Sequence, residues 1–106
     1  MGSARSLNAW GKHGRFGYVG SLDAGTRLVL GRGKELVVPA SLFSELRAHF
    51  AGRTVLIGAS RHPPRDSLGG WLQGRVSLVA AAAYVGPVLV KEGAAERVSD
   101  DEIRIL

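Results

Sequence analysis

The sequence predicts an α+β fold in which a small N-terminal antiparallel sheet precedes three helices and a C-terminal β-hairpin. Before Pro39, hydrophobic residues alternate along short runs bounded by glycine, whereas after it they recur at three- and four-residue intervals. The chain has 106 residues, of which 45% are hydrophobic, and this is enough for one core. We therefore expect a single domain over residues 1–106.

The first residues are expected to form a loosely ordered leader. Residues 1–14 are rich in Gly, Ser, Asn and Lys, and they show no sustained hydrophobic period. Trp10 is the apolar anchor in this stretch. We expect regular structure to begin after it.

Residues 15–38 are expected to form a β-hairpin region. Alternation from Arg15 onwards predicts a first strand, which ends in a glycine-rich turn. Two aliphatic runs follow, Arg27–Leu30 and Leu36–Val38, and a short loop containing glycine joins them. This arrangement is typical of a hairpin, so the N-terminal third is predicted to be a small antiparallel sheet.

A helix is predicted over residues 41–51. Leu42, Leu46 and Phe50 are four residues apart, so they lie on one face of a helix and are expected to be buried. Ser41 is a residue type that caps helix N-termini, and we expect it to begin the helix.

Shorter elements are predicted in the rest of the chain. The β-branched run 54–57 predicts a strand, and the proline-containing stretch 58–66 predicts a loop. Residues 67–73 predict a short helix capped by Ser67 or Asp66. The alanine-rich residues 77–92 predict a longer helix, and two short runs within residues 94–105 predict a closing hairpin.

The charge pattern indicates a polyanionic partner. The net charge is +5, from 14 Lys and Arg residues against 9 Asp and Glu residues. Residues 1–75 hold eleven of these cations and four of the acids, whereas residues 76–106 hold three cations and five acids. Most of the cations are arginine, whose planar fork suits phosphate. The alternative is a solvated basic face that serves solubility.

The order of elements after Pro39 resembles that of the winged helix-turn-helix superfamily. The most suggestive stretch is Val88–Val98 followed by Asp101–Ile105, which is similar to a recognition helix that runs through a glycine into a two-stranded wing. The resemblance covers residues 39–106. It implies a winged-helix-like unit in which residues 77–92 form the recognition helix, and it implies duplex DNA as the ligand.

The side chains expected to contact DNA lie outside the third helix. Between residues 77 and 90 only Ser77 and the Tyr84 hydroxyl are polar, so this segment offers little to base edges. The acidic residues 100–102 at the tip of the wing would meet phosphate with like charge. The expected phosphate contacts are arginines in loops and at helix ends, namely Arg53, Arg61, Arg65 and Arg75.

The apolar third helix also supports a second hypothesis. A helix that is apolar almost all round is normally buried or lies in a protein interface. We therefore keep open a homodimerisation or protein-interaction module that uses residues 77–90, with Tyr84 and Val88 at the interface. Trp71 and Tyr84 are also candidate stacking platforms for a single strand, although their helical spacing with neighbouring apolar residues favours core packing.

Catalytic and metal-binding patterns do not reach the required spacing. Residues 58–60 begin like a nucleophile elbow, but His62 stands where its second glycine belongs. His13, His49 and His62 are far apart, and the chain has no cysteine. We expect a non-catalytic protein with no cofactor and no metal.

The cellular location is predicted from the lack of two sequence features, a membrane-spanning segment and a secretory signal. The longest uncharged run, Val76–Val90, has 15 residues, and a membrane-spanning helix needs roughly 20. The first fifteen residues hold Arg5, Lys12 and Arg15 with no apolar stretch between them. We expect a cytoplasmic protein with no membrane contact.

Overall fold

Two antiparallel sheets and three helices make up the structure, a computed structural model that describes residues 5–11 and 14–106. The strands are β1 (Arg5–Asn8), β2 (Arg15–Ser21), β3 (Gly25–Val29), β4 (Glu35–Val38), β5 (Thr54–Leu56), β6 (Ala95–Arg97) and β7 (Glu102–Ile105). The helices are α1 (Ala40–Phe50), α2 (Leu68–Leu72) and α3 (Ala82–Lys91). The α+β class is confirmed, with the larger sheet first and a hairpin at the end.

The first four strands form one sheet in chain order. Each strand pairs antiparallel with the next, and Tyr18 of β2 lies opposite Leu28 of β3. Both side chains are buried, because residues directly opposite each other on paired strands face the same side of the sheet. Arg15 and Arg27 are exposed on the opposite face. The hairpin predicted from the two aliphatic runs is the β3–β4 pair.

The prediction of a loosely ordered leader is wrong for the residues of β1. Arg5–Asn8 pair in register with β2, and Leu7 lies opposite Phe16. Composition did not indicate this strand, because its pairing with β2 stabilises it and its own pattern is too short to be read. Residues 1–4, 12 and 13 of that prediction lie outside the described residues.

Helix α1 begins one residue before its predicted start. Leu42, Leu46 and Phe50 are buried, as their spacing predicts. The N-cap is Pro39 and not Ser41, whose side chain makes no capping hydrogen bond. Pro39 ends β4 with an extended backbone, and its carbonyl accepts from the Leu42 N–H at 3.1 Å. The chain therefore turns directly from strand to helix.

The second sheet joins β5 to the closing hairpin. Its strand order is β5-β7-β6, so β7 is the central strand. Ile103 and Ile105 of β7 are buried on one face, as predicted for the hairpin. Helix α2 precedes this hairpin in the chain, and Ser67 caps it by accepting from the Gly70 N–H at 2.9 Å.

Helix α3 is shorter than predicted. The sequence predicts a helix over residues 77–92, but α3 begins only at Ala82. Ala80 has φ 56° in the left-handed region, which no residue inside a right-handed helix adopts. Val76 and Leu78 pack against the core from a non-helical segment. Tertiary packing thus overrides the helix propensity of the alanines.

Helix α3 holds Trp10 through a glycine and a proline. The Trp10 ring lies against Gly86, where a Cβ would contact the ring carbons. Pro87 has no N–H to donate to the Ala83 carbonyl one turn earlier, and that carbonyl instead accepts from the Trp10 N–H at 2.9 Å. The Gly86-Pro87 pair therefore fixes Trp10, which follows β1 in the chain, to α3.

A part-buried hydrogen bond also links the first sheet to the C-cap residue of α3. The Tyr18 hydroxyl donates to the Glu92 carboxylate at 2.7 Å, and Arg5 pairs with the same carboxylate at 3.9 Å. Burial, followed by the bond to Glu92, raises the pKa of Tyr18 from 10.0 to about 12.

Over the described ranges, the longest helix is α1 with 11 residues, too short to cross a bilayer.

Candidate nucleic-acid interface

Two of the predicted phosphate-contacting residues, Arg53 and Arg75, lie on one aromatic group. The guanidinium carbon of Arg53 is 5.4 Å from the centroid of the Phe50 ring. That of Arg75 is 4.4 Å from the centroid of the Trp71 ring. The Phe50 and Trp71 rings are 6.1 Å apart and meet edge to face. The two arginines therefore flank a single aromatic contact between α1 and α2.

His49 completes this group. Its ring stacks on Trp71 with a centroid distance of 5.9 Å and an interplanar angle of 27°. It meets Phe50 edge to face at 4.6 Å. We call His49, Phe50, Arg53, Trp71 and Arg75 the arginine–aromatic cluster. Phe50 is buried, Trp71 is half-buried, and the other three members are exposed.

The two arginines are held in the same way. Each lies just past the end of a helix and turns back to a carbonyl four residues earlier. Arg75 donates to the Trp71 carbonyl at 2.7 Å, and Arg53 donates to the His49 carbonyl at 3.5 Å. Helix ends leave such carbonyls without intrahelical partners. One N–H group of each guanidinium is used in this bond, and its other N–H groups remain for a ligand.

Tight backbone packing brings α2 up to α1 and β5. The Gly69 N–H donates to the Ile57 carbonyl at 2.8 Å, just past β5. A Cβ on Gly69 would overlap the carbonyl oxygen of Gly58, so only glycine allows this approach. Ser67 fixes the first turn of α2. These contacts place Trp71 against Phe50.

No ion pair among the described residues involves the arginine–aromatic cluster. Among the described residues the two ion pairs are Arg5–Glu92 and Arg27–Glu35, neither of which involves a member of the cluster. The acidic turn of the closing hairpin lies at the far end of β5, where the Ile57 N–H donates to the Asp101 carbonyl. Arg53, four residues earlier, is about 13 Å away along an extended strand. The guanidinium groups of Arg53 and Arg75 therefore have no carboxylate of the described residues within salt-bridge distance.

Arg61 and Arg65 lie outside this cluster. Both are exposed in the loop between β5 and α2, and neither has an ion-pair partner among the described residues. Arg61 lines a cavity of about 230 Å³ with Gln73. The backbone of Arg65 lies against Gly70 in the first turn of α2. All four predicted arginines thus surround α2, and two of them share the aromatic group.

The sequence prediction did not place His49 and Phe50 in the site. Phe50 is predicted as a core residue and also lies in the core, and from the sequence His49 is considered only as a metal ligand. The usable signal is an arginine three or four residues after an aromatic residue at a helix end, as in Phe50 and Arg53 and in Trp71 and Arg75. That spacing places the guanidinium over the ring.

The predicted partner interface is corrected at one of its two residues. Val88 is fully buried in the core and has no surface to offer a partner. Tyr84 is half-buried and meets Phe16 edge to face at 5.3 Å. Helix α3 is apolar all round because β1, β6 and α2 pack around it.

Within residues 5–11 and 14–106, no three His, Asp or Glu side chains come close enough to hold a metal ion. His13, one of the three histidines in the sequence, lies outside these ranges. His49 contributes a ring surface to the cluster and has no carboxylate ion-pair partner there.

Comparison with family models, with curated proteins and with solved structures gave no match. A function is therefore inferred from the contacts, burial and charges of the residues themselves.

Proposed function

We propose that this protein is a non-catalytic DNA-binding protein that holds the phosphate backbone through the arginines around α2. The observation that carries the proposal is the pair Arg53 and Arg75, which flank one aromatic contact and have no ion-pair partner among the described residues. Phosphate contacts supply most of the affinity of sequence-independent DNA binding. The ligand expected from the sequence is duplex DNA.

Stacking prepares both arginines for phosphate. An arginine free in water loses rotamer freedom when it binds, which costs affinity. Arg75 is already held by the Trp71 ring and by its 2.7 Å bond to the Trp71 carbonyl. A guanidinium held in this way presents its remaining fork to a phosphate with less entropy to lose.

The order of elements also supports the proposal. A helix, a strand, two helices and a hairpin follow one another, and β5 pairs with the central strand β7. The winged-helix resemblance implies the same order of elements, and membership of that superfamily stays a prediction. In our proposal DNA lies on α1, α2 and the loop before α2, because α3 is largely buried and carries no free cationic face.

Salt dependence of binding tests the proposal. The affinity of the protein for a short labelled duplex is measured by fluorescence anisotropy at several salt concentrations from about 50 mM upwards. Each phosphate contact adds about 0.9 to the slope of log affinity against log salt. We expect the pair Arg53→Ala and Arg75→Ala to lower this slope by nearly two units, and the pair Arg61→Ala and Arg65→Ala to do the same.

A matched control removes the same charge elsewhere. Arg15 and Arg27 are exposed on the outer face of the four-stranded sheet, so the pair Arg15→Ala and Arg27→Ala should leave the slope unchanged. Circular dichroism verifies that each variant is folded. Absence of binding at about 50 mM salt, or an equal loss of slope in the control pair, would overturn the proposal.

A further inference from the structure

We propose that the arginine–aromatic cluster takes an unpaired base of a DNA strand, which stacks on His49. This inference rests on the proposed function and names the form of DNA that the site recognises. It predicts that binding is tightest where a strand is open, at a single-stranded segment or an extrahelical base.

Three planar groups form a stack in the cluster. Arg75 covers one side of the Trp71 ring at 4.4 Å, and His49 stacks on the same ring at 27°. Phe50 meets both rings edge to face and supports them from the core. His49 is the exposed ring of this stack, since Phe50 is buried and Trp71 is half-buried.

An unpaired base fits this arrangement better than a paired one. Bases within a duplex already stack on their neighbours, so their faces are not available to a protein ring. An unpaired base has a free face, and every base type has one, so such stacking tolerates any sequence. A base laid on His49 would extend the stack by one layer.

The two arginines suit the backbone on either side of such a base. Arg53 contacts Phe50 and Arg75 contacts Trp71, and the three centroid distances limit the separation of the two guanidinium carbons to about 16 Å. Successive nucleotides of one strand lie within that span, since a strand in B-form DNA rises about 3.4 Å per nucleotide. The cluster therefore combines one aromatic surface with two phosphate-binding forks.

An abasic nucleotide separates stacking from charge. A labelled single strand is compared with the same strand lacking one central base, so that both carry the same phosphates. A stacked base contributes about 5- to 150-fold in affinity, from the range measured by alanine substitution. We expect the intact strand to bind more tightly by a factor in that range. On a duplex, adding one extrahelical base should strengthen binding in the same direction.

Variants at one exposed position test the role of His49. His49→Ala removes the ring and should abolish the difference between intact and abasic strands. His49→Phe keeps an aromatic face and should retain it. His49 is exposed, but its ring contacts Phe50 and Trp71, so circular dichroism verifies that both variants are folded. The salt slope reports on the arginines, which both variants keep.

The possible failures are distinguishable. Equal binding of intact and abasic strands overturns the stacking inference, and so does a difference that survives in His49→Ala. In either case a steep salt slope that falls in the Arg53→Ala, Arg75→Ala protein would still support the proposed function. Absence of binding to every DNA at about 50 mM salt overturns both.

Discussion

Adding a methyl group at Gly86 tests how Trp10 is fixed to α3. In most helices a change from glycine to alanine stabilises the helix by about 1 kcal/mol, because alanine has less backbone entropy to lose. Here the added Cβ would lie 2.7 Å from Cε3 and 2.9 Å from Cη2 of Trp10. Neither ring atom belongs to a flexible chain end, so the whole indole must move.

Displacement of the indole carries several costs. Overpacking a well-packed site costs about 1–3 kcal/mol. The bond from the backbone N–H of Trp10 to the Ala83 carbonyl is strained as well, and Pro87 has no N–H to replace it. The Arg97 guanidinium carbon, 4.5 Å from the centroid of the Trp10 ring, loses this contact. We expect Gly86→Ala to lower the free energy of unfolding by about 1–3 kcal/mol.

Urea denaturation of a double-mutant cycle measures this effect. The proteins are wild type, Gly86→Ala, Trp10→Ala and the double variant. Without the indole, the alanine at position 86 has room, so its effect should change sign and stabilise by up to about 1 kcal/mol. A stabilising Gly86→Ala in the wild-type background, or no coupling between the two positions, would refute the packing described for Trp10.

Three further predictions concern stability. Leu46→Ala should lower the free energy of unfolding by about 2–5 kcal/mol in urea, since Leu46 is fully buried; a loss below about 1 kcal/mol would contradict its place in the core. Tyr18→Phe removes the 2.7 Å bond to the Glu92 carboxylate and should cost about 1.5–3 kcal/mol. Because the pKa of Tyr18 rises from 10.0 to about 12 on folding, its contribution is complete below pH 10 and is lost between pH 10 and pH 12. Thermal melts across that range should therefore fall less in Tyr18→Phe than in wild type. Val88→Glu places an unpaired charge in the core and should unfold the protein. Tyr84→Glu changes a half-buried position and should leave a folded protein, so light scattering of this variant tests whether Tyr84 lies in a homodimer interface.

Elements with a strong local pattern could be predicted from the sequence. The stripe of Leu42, Leu46 and Phe50 locates α1, and the capping serine Ser67 locates α2. Each signal depends on contacts between residues that are close in the chain, so periodicity and capping chemistry reveal it. The basic character of the first 75 residues is equally a property of composition.

The errors occur where distant residues decide the structure. The strand β1 exists through its pairing with β2, and its own four residues carry no readable period. The alanine run before α3 has high helix propensity, yet Ala80 adopts a left-handed backbone because the preceding segment packs against the core. In both cases a long-range contact outweighs a local preference of less than about 1 kcal/mol per residue.

The candidate site divides in the same way. Its members and their spacing are visible in the sequence, since Phe50 and Trp71 stand three and four residues before an arginine. Their meeting depends on the approach of α2 to β5, which Gly69 permits by lying against the carbonyl of Gly58. Composition determines that the chain carries cations for a polyanion, because charge is a sum over residues. Only the tertiary structure decides that two of them flank one aromatic stack, because that stack is built from helices distant in the chain.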